Sequence, residues 1–244
     1  MDNETTARVA LVTGGSAGLG LALTTALADD GWQVVTDGRS AERFAEADLP
    51  PAVTVVVGDL TDAEHRERLL AEVTARGRLD LLVHNASTLG PLPMRPLAEV
   101  AVPDLPEVLR TNVGAPLVLT AALLPWLEVA DGVVIAISSD AAVEHYEGWG
   151  LYGASKAALD HVTLTLAAET GLTAYAVDPG EMRTAMHQDA FPGEDISDRP
   201  LPETVVPHVL ALLGRRPPSG RLRAVDVPLD DAVGRAAETA GAVR

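Results

Sequence analysis

The chain has few of the side chains that commonly carry chemistry. It contains no cysteine, one lysine among 18 basic residues, and eight aromatic residues (three Trp, three Tyr and two Phe). The absence of cysteine excludes disulfides and thiolate metal sites and fits a reducing compartment. The six histidines are scattered, with no His-Glu-x-x-His pattern, so we expect no catalytic metal.

A long hydrophobic run is also absent. The longest apolar region, Val113–Leu127, is interrupted by Gly114, Pro116 and Pro125. It falls short of the roughly 20 residues that a helix needs to cross a bilayer. The N-terminus is acidic, and its apolar run Val9–Val12 is too short for a signal peptide. The sequence therefore predicts a cytoplasmic protein with no membrane partner.

Positive charge is scarce as well. There are 35 acidic and 18 basic residues, which gives a formal net charge of −17. Nucleic acids are bound through clustered lysine and arginine, so this balance argues against a nucleic-acid partner. Solubility is the simpler explanation of the charge. A small anionic ligand can still bind locally, through backbone N–H groups and one or two arginines.

What the sequence does contain is a regular alternation of two patterns, without a linker, over 244 residues. Short β-branched runs alternate with longer amphipathic stretches, which predicts one α/β domain, residues 1–244, with a doubly wound parallel sheet and helices on both faces. We predict strands at Val9–Thr13, Gln33–Thr36, Val53–Val57, Leu81–His84, Val133–Ser138 and Ala174–Val177, with a weaker seventh at Arg221–Val225. We predict helices at Leu19–Asp29, Asp62–Ala75, Leu105–Leu127, Leu151–Thr170 and Glu203–Leu213.

Two stretches between these elements look irregular, Leu89–Asp104 and Glu181–Pro202. Loops of this length in a compact domain usually cover a functional site or are disordered.

A glycine-rich segment, T-G-G-S-A-G-L-G at residues 13–20, follows the first predicted strand and opens the first predicted helix. Glycines let a backbone approach a pyrophosphate closely, and a helix N-terminus offers free N–H groups and a favourable dipole. Between a strand and a helix, the segment predicts a phosphate-binding loop rather than a simple turn.

The only lysine, Lys156, follows Tyr152 by four residues, a spacing that places both side chains on one face of a helix. Every other basic position holds arginine, which suggests that this position requires the compact charge of an ammonium. A nearby ammonium favours the phenolate and so lowers the pKa of a tyrosine. The pair therefore suggests a proton donor and acceptor, although taken alone it could be a surface lysine that happens to follow a tyrosine.

Together these segments resemble the short-chain dehydrogenase/reductase family over nearly the whole chain. Residues 13–20 match its Thr-Gly-x-x-x-Gly-x-Gly motif, and Tyr152-Gly-Ala-Ser-Lys156 matches its Tyr-x-x-x-Lys motif. The resemblance implies a single-domain Rossmann fold of about seven strands, a nicotinamide cofactor, and substrate loops at residues 140–151 and 181–202. One departure is His84-Asn85-Ala86-Ser87, where the family usually has Asn-Asn-Ala-Gly.

The resemblance also implies a catalytic set. Ser139 would hold the substrate oxygen, Tyr152 would exchange its proton, Lys156 would lower the tyrosine pKa and contact the nicotinamide ribose, and Asn112 would hold a water on the proton path. Moving a phenol pKa from about 10 to about 7 takes about 4 kcal/mol. One positive charge at about 4–5 Å supplies about 3–4 kcal/mol at an effective dielectric of about 20. The lysine alone is nearly sufficient, and no metal is required.

The cofactor contacts implied by the resemblance are spread along the chain. They are Gly14, Ser16, Ala17, Gly18, Leu19, Gly20, Asp59, Leu60, Asn85, Ala86, Tyr152, Lys156, Pro179, Gly180 and Thr184.

The end of the second strand bears on the choice between NAD(H) and NADP(H). Members that use NAD carry an acid there, which binds the ribose hydroxyls. Counting from Thr13, this place falls on Gly38, followed by Arg39, whose guanidinium can fork onto a 2′-phosphate. We therefore expect NADP(H) rather than NAD(H), with Arg39 as a cofactor contact. If the register slips by one residue, Asp37 takes the acidic place and NAD is favoured.

The substrate is less well defined. Tyr146 and Trp149 lie in the loop before Tyr152, which forms one wall of the substrate cleft in relatives. Our hypothesis is that they line a pocket for an apolar or ring-containing carbonyl compound or alcohol. The alternative is that they pack beneath the loop or at a subunit contact.

The resemblance implies a homodimer, and possibly a tetramer, because in relatives the helices at Leu105–Leu127 and Leu151–Thr170 form a four-helix contact. The C-terminal region departs from the family's Gly-Gly turn. Asp226–Asp231 leads into an alanine-rich tail, which argues against a tetramer more than against a dimer.

The function expected from these features is that of a carbonyl reductase or alcohol dehydrogenase. A non-catalytic NADP(H)-binding sensor on the same fold is the alternative, since a fold does not fix a function. An enzyme that uses the nicotinamide transiently, for epimerisation or dehydration, is a third reading. Such relatives tend to carry an added substrate domain that this chain lacks.

Overall fold

Seven parallel strands form one sheet in the computed structural model, which describes residues 7–229. The strands are β1 Val9–Val12, β2 Gln33–Gly38, β3 Val53–Val57, β4 Leu81–His84, β5 Val133–Ile137, β6 Thr173–Asp178 and β7 Gly220–Arg223. Their order in the sheet is β3-β2-β1-β4-β5-β6-β7. The predicted doubly wound parallel sheet is confirmed, including its seventh strand. Residues 230–244, which include the predicted tail, lie outside the described residues.

The helices pack on both faces of the sheet. They are α1 Gly18–Asp29, α2 Ala41–Glu46, α3 Ala63–Arg76, α4 Leu105–Leu109, α5 Ala115–Ala130, α6 Gly150–Thr170, α7 Ala185–Ala190 and α8 Val206–Arg215. One apolar core lies between the sheet and helices α1 and α8, and the other lies beneath α3 and α5. Strands β1, β4 and β5 are buried along their whole length, as expected for strands covered on both sides.

The helix predicted at Leu105–Leu127 is wrong as a single α-helix. Residues Arg110–Gly114 wind as a π-helix between α4 and α5. The Asn112 amide lies in this wider turn and is tied to the backbone of Thr88 in the loop after β4. π-Helical segments are rare and often mark functional sites. The sequence pattern alone carries no signal for the extra residue in the turn.

Two short helices, α2 and α7, were not predicted. Each is six residues long and has a side-chain cap: Ser40 accepts a hydrogen bond from Arg43 N, and Thr184 accepts one from His187 N. Elements this short show little periodicity. The stretch Glu181–Pro202, which was predicted as irregular, therefore contains the short helix α7. The other such stretch, Leu89–Asp104, contains only two three-residue 3-10 helices.

In the part of the chain that the structure describes, one helical stretch, Val102–Ala130, is long and apolar enough to cross a membrane by length and composition. A third of its most apolar window is buried within the protein. A core helix that packs on a sheet meets the same criteria.

The chain order reverses between β1 and β4. From β1 the sheet grows outward through β2 and β3 on one side and through β4 to β7 on the other. In open parallel sheets, ligands bind in the crevice at the carboxyl ends of the strands at such a switch point. The segments that follow β1, β2, β4 and β5 therefore define where to look for a site.

Candidate active site

A cavity of about 640 Å³ opens at this crevice. Nearly all the residues predicted to bind cofactor or substrate line it. These are Gly14, Ser16, Ala17, Gly18, Leu19, Arg39, Asp59, Leu60, Asn85, Ala86, Tyr146, Trp149, Tyr152, Lys156, Pro179, Gly180 and Thr184, together with Ser139. Gly20 and Asn112 do not line the cavity but lie behind its wall.

The glycine loop forms one end of the cavity, and its geometry suits a pyrophosphate. Gly14 and Gly18 adopt positive φ angles of 70° and 56°, which only glycine adopts at low cost. Helix α1 begins at Gly18 with no side-chain cap on Ala17 and no acidic residue in its first turn, so its N-terminal N–H groups remain available to an anion. A Cβ at Gly20 would stand 2.3 Å from the Gly14 carbonyl oxygen, so Gly20 serves the close packing of the loop on the helix.

Asp37 supports this loop from beneath. It is 1% exposed; its Oδ1 accepts a hydrogen bond of 2.8 Å from Gly14 N, and its Oδ2 lies 2.9 Å from His65 Nε2. His65 is also buried, and its Nδ1 lies 3.1 Å from Arg68 Nη2. Both carboxylate oxygens of Asp37 are thus occupied by protein groups, and they fasten the phosphate loop to helix α3.

The two residues after Asp37 face the cavity. Gly38 lies against Ser16, since a Cβ there would stand 2.9 Å from the Ser16 hydroxyl oxygen. Arg39 is exposed, and both Arg39 and Arg43 line the cavity on this side. The positive charge of Arg39 also contributes to lowering the pKa of Asp59, although burial of Asp59 acts in the opposite direction.

Ser139, Tyr152 and Lys156 meet at the other end. Ser139 follows β5, and Tyr152 and Lys156 lie one turn apart on α6. Lys156 is 2% exposed, and its Nζ donates a 2.8 Å hydrogen bond to the Ile137 carbonyl oxygen. The same Nζ lies 5.6 Å from the centre of the Tyr152 ring. A serine hydroxyl, a phenol and an ammonium are therefore arranged around one point at the cavity wall.

The ionisation of these groups differs from the sequence-based expectation. Burial raises the pKa of Tyr152, and hydrogen bonds with Ser87 and Ser139 oppose this rise only in part. The net direction of the pKa shift is opposite to the lowering predicted from Lys156, because burial of the phenol is the largest effect. Burial also lowers the pKa of Lys156 to about 8, against an opposing effect of the Asp160 carboxylate.

Asn112 is buried, and its side-chain amide is fully engaged. Oδ1 accepts hydrogen bonds from Thr88 N (2.9 Å) and Ser87 Oγ (3.2 Å), and Nδ2 donates to Thr88 O and Ser155 Oγ, both at 2.9 Å. An amide has two donor hydrogens and two acceptor lone pairs, so these four bonds use its whole capacity. The side chain fixes the loop after β4 to α6 and has no group left for a water; its role in a proton relay stays a prediction.

A layer of polar side chains lies behind Ser139 and Lys156. Asp160, one turn after Lys156 on α6, accepts hydrogen bonds from Ser138 Oγ (2.8 Å) and Arg221 Nε (3.1 Å). Arg221, on β7, also donates a 2.8 Å hydrogen bond to the carbonyl oxygen of Ser139. The last strand of the sheet thereby holds the backbone of Ser139.

Aromatic rings form the wall that faces these groups. Trp149 contacts Tyr146, Tyr152 and Phe191 edge-on or tilted, with ring centres 6.4, 5.7 and 5.6 Å apart. Half of the chain's eight aromatic residues therefore line one cavity. Tyr146 is 47% exposed, so the loop before α6 presents its ring to the open side rather than packing it beneath.

Some residues that line the cavity were not predicted as site residues from the sequence. They include Arg43, Ser87, Asp140, His187 and Phe191. Ser87 occupies the place where the expected motif has glycine, and this departure could have indicated that its side chain faces the cavity. Asp140 directly follows Ser139 and could have been noted for that reason. His187 and Phe191 lie on α7 and just after it, a helix with no periodic signature.

The fold and the cavity are of the kind that binds a dinucleotide at the end of a parallel sheet. Comparison with known proteins agrees. The family model for the short chain dehydrogenase matches residues 8–195. The chain belongs to the short-chain dehydrogenase family of oxidoreductase enzymes, which bind a nicotinamide cofactor.

Individual relatives support this assignment. Serine 3-dehydrogenase of Agrobacterium fabrum is 34% identical over 180 residues, which cover 71% of this chain and 72% of the relative. The uncharacterized oxidoreductase YciK of Escherichia coli K12 is 32% identical over 219 residues, covering 85% and 86%. A short-chain dehydrogenase of Shigella flexneri 2a, crystallised with NADP, superposes with a TM-score of 0.82 at 30% identity, covering 89% of this chain and 97% of that one.

Proposed function

We propose that this protein is an NADP(H)-dependent oxidoreductase that interconverts a small carbonyl compound and its alcohol, working chiefly as a carbonyl reductase. The observation that carries the proposal is the single cavity bounded by the glycine loop and Arg39 at one end and by Ser139, Tyr152 and Lys156 at the other. The glycine loop and Arg39 would hold a dinucleotide in this cavity.

A bound nicotinamide would supply the hydride that the carbonyl carbon gains in reduction, or take up the hydride that the alcohol carbon loses in oxidation. When substrate binds, the Ser139 hydroxyl turns its one hydrogen from Asp140 Oδ1 to the substrate oxygen and fixes the position of that oxygen. Tyr152 gives its phenolic proton to that oxygen during reduction and takes it back during oxidation. The buried ammonium of Lys156 stabilises the phenolate that is left behind. The aromatic wall excludes water from the reacting atoms.

The preference for NADP(H) follows from Asp37. A carboxylate at the end of β2 would favour NAD by binding the ribose hydroxyls, but both oxygens of Asp37 are already bound, to Gly14 N and to His65. Arg39 and Arg43 stand on the cavity side instead, where a guanidinium can bind a 2′-phosphate in a bidentate manner. A structural neighbour crystallised with NADP is consistent with this choice.

The test of catalysis is the oxidation of NADPH in the presence of ketones, aldehydes and quinones, followed by the absorbance of the reduced ring. Tyr152→Phe removes only the phenolic oxygen, so we expect turnover to fall by at least about a thousandfold, near the upper part of the range for a lost general acid. Binding of NADPH, measured by calorimetry, should stay within about twofold of the parent protein.

Two outcomes would decide against the proposal. Retained turnover in Tyr152→Phe would exclude the tyrosine as the proton donor. Tight NADPH binding with no turnover in either protein on any compound would favour the sensor reading.

We further propose that the protein is a cytoplasmic homodimer. The exposed side of α5 carries Leu117, Val118 and Val129, which are 49%, 52% and 69% exposed. An apolar stripe of this kind on a helix is typical of a protein–protein contact.

A further inference from the structure

We infer that the substrate carries a positively charged amine next to the reacting carbonyl or alcohol carbon, and that Asp140 binds this amine. The inference rests on the proposed function, because it concerns the same cavity. It narrows the substrate class from carbonyl compounds in general to vicinal amino ketones and amino alcohols.

The first support is the position of Asp140. It follows Ser139 directly, lines the cavity and is exposed. Its Oδ1 accepts hydrogen bonds from Ser139 Oγ (3.0 Å) and Ala141 N (2.8 Å), and its Oδ2 accepts one from Tyr146 OH at 2.9 Å. These bonds come from neutral groups and fix the carboxylate beside the catalytic serine with its charge uncompensated.

The second support is the charge around it. Within residues 7–229, no cationic side chain lies within ion-pairing distance of Asp140. Two acids that line the same cavity are paired: Glu181 lies 2.8 Å from Arg199, and Asp178 lies 3.7 Å from Arg221. A carboxylate left without a counter-charge in a binding cavity is complementary to a cationic ligand.

The cations of the cavity do not fill this role. Of the described residues that line it, only Arg39, Arg43 and Lys156 are arginine or lysine, and the histidine that also lines it, His187, lies on α7. The two arginines follow β2, on the glycine-loop side, and Lys156 is 2% exposed and bonded to the Ile137 carbonyl beneath Tyr152. The part of the cavity in front of Asp140 is therefore acidic.

The third support is the aromatic wall. Tyr146, which is bonded to Asp140, contacts Trp149, which in turn contacts Phe191. Aromatic faces attract ammonium groups through their quadrupoles, and indole does so most strongly. A carboxylate combined with aromatic rings is the arrangement that recognises an organic ammonium ion, whereas a neutral apolar substrate would gain nothing from the charge.

Distance limits where the amine can be. A substrate oxygen held by Ser139 Oγ at about 2.8 Å lies within about 6 Å of Asp140 Oδ1, because the two side-chain oxygens are 3.0 Å apart. In a vicinal amino alcohol the oxygen and nitrogen are about 3 Å apart, and an ammonium–carboxylate hydrogen bond adds about 2.8 Å. The amine therefore belongs on the carbon next to the reacting carbon.

The test compares two alcohols that differ only in this group. In 2-amino-1-phenylethanol an ammonium stands where 1-phenyl-1-propanol has a methyl group. Oxidation of each by the protein with NADP+ gives a ratio of kcat/KM values, and calorimetry on the protein–NADP+ complex gives a ratio of affinities. We expect both ratios to favour the amine by at least about tenfold in the parent protein, since hydrogen bonds to charged groups are the stronger kind.

Asp140→Asn should bring both ratios close to one. The ratio is the readout because any general damage to the neighbouring Ser139 affects both alcohols alike. Asp189→Asn is the matched control, since Asp189 is an exposed acid on α7 outside the cavity wall, and its removal should leave the ratios unchanged.

Each outcome decides between the two proposals. If the parent protein oxidises both alcohols equally well and binds them equally, the inference fails while the proposed function stands. If neither alcohol and no ketone is turned over, but amine binding is preferred and is lost in Asp140→Asn, the proposed function fails while the inference stands. Equal loss of preference in Asp189→Asn would assign the effect to overall charge and overturn the inference.

Discussion

At the scale of single residues, the end of β2 carries two side chains with opposite tasks. Both line the cavity, but Asp37 is 1% exposed and holds the glycine loop, whereas Arg39 is exposed. The sequence left open which of the two would meet the cofactor, because a one-residue shift in register exchanges their places. In the structure β2 ends at Gly38, and the Asp37 carboxylate is buried and bonded to Gly14 N and His65.

Replacing Arg39 tests whether its side chain binds the 2′-phosphate of NADPH. We expect Arg39→Ala to raise the KM for NADPH by about 10–100-fold, because hydrogen bonds to a charged group are worth about 1.5–3 kcal/mol. The KM for NADH, which has no 2′-phosphate, should change by less than about twofold. Arg223→Ala removes an exposed arginine outside the cavity wall and should change neither constant. An equal rise in the KM values for NADPH and NADH would show that Arg39 does not bind the 2′-phosphate.

We expect Asp160 to influence the proposed reaction through Lys156. Burial lowers the pKa of this lysine to about 8, and the Asp160 carboxylate opposes that lowering. Asp160→Asn removes the negative charge, so the lysine should lose its proton at lower pH. Since the proposed reaction needs the ammonium, the alkaline limb of the pH–kcat profile should move towards lower pH.

Ser138→Ala is the control for this prediction. It deletes the hydrogen bond to Asp160 but leaves the charge in place. It should therefore reduce the rate without displacing the alkaline limb. If the alkaline limb did not shift in Asp160→Asn, that limb would not report the loss of a proton from Lys156.

At the scale of elements, the stretch α4–π–α5 shows where a periodic pattern ceases to be informative. The predicted strands and most helices agree with the structure to within a few residues. Strands buried on both faces have continuous apolar runs, and the helices that cover them have periodic apolar residues, so both are visible in the sequence. The π-helical turn is different: it depends on Asn112 bonding to Thr88 and Ser155, which are distant in the chain. The hydrogen bond from Lys156 to the Ile137 carbonyl likewise joins residues distant in the chain, so the sequence shows the spacing of Lys156 from Tyr152 but not this bond.

Helix α5 also carries the proposed dimer contact. Val118→Glu places a charge in the middle of its exposed apolar stripe, and burying that charge in a contact would cost several kcal/mol. We expect the parent protein to sediment as a dimer and the variant as a monomer in analytical ultracentrifugation. Val225→Glu introduces the same charge at an exposed site after β7 and should leave the dimer intact. A dimeric Val118→Glu would place the contact elsewhere.

At the scale of the whole molecule, His84 links folding to pH. It is 3% exposed at the end of β4, its Nε2 lies 2.6 Å from Thr120 Oγ1, and burial lowers its pKa to about 3. The unfolded chain takes up a proton at this residue below about pH 6.5, and the folded chain does so only near pH 3. Stability is therefore lost as the pH falls through this window.

At pH 5 this linkage should cost about 2 kcal/mol relative to pH 7. We expect urea unfolding to show a loss of this size in the parent protein and a clearly smaller one in His84→Asn. His161→Asn replaces an exposed histidine on α6 and should leave the pH dependence as it is. A parent protein equally stable at both pH values would contradict the assignment.

The single lysine has a consequence beyond catalysis. A protease that cleaves only after lysine has one target bond in the whole chain, between residues 156 and 157. That bond lies within α6, and the lysine side chain that the protease must recognise is almost completely buried. Cleavage therefore requires α6 to open, so the rate at which the two fragments appear reports directly on how often the catalytic helix leaves its place in the folded protein.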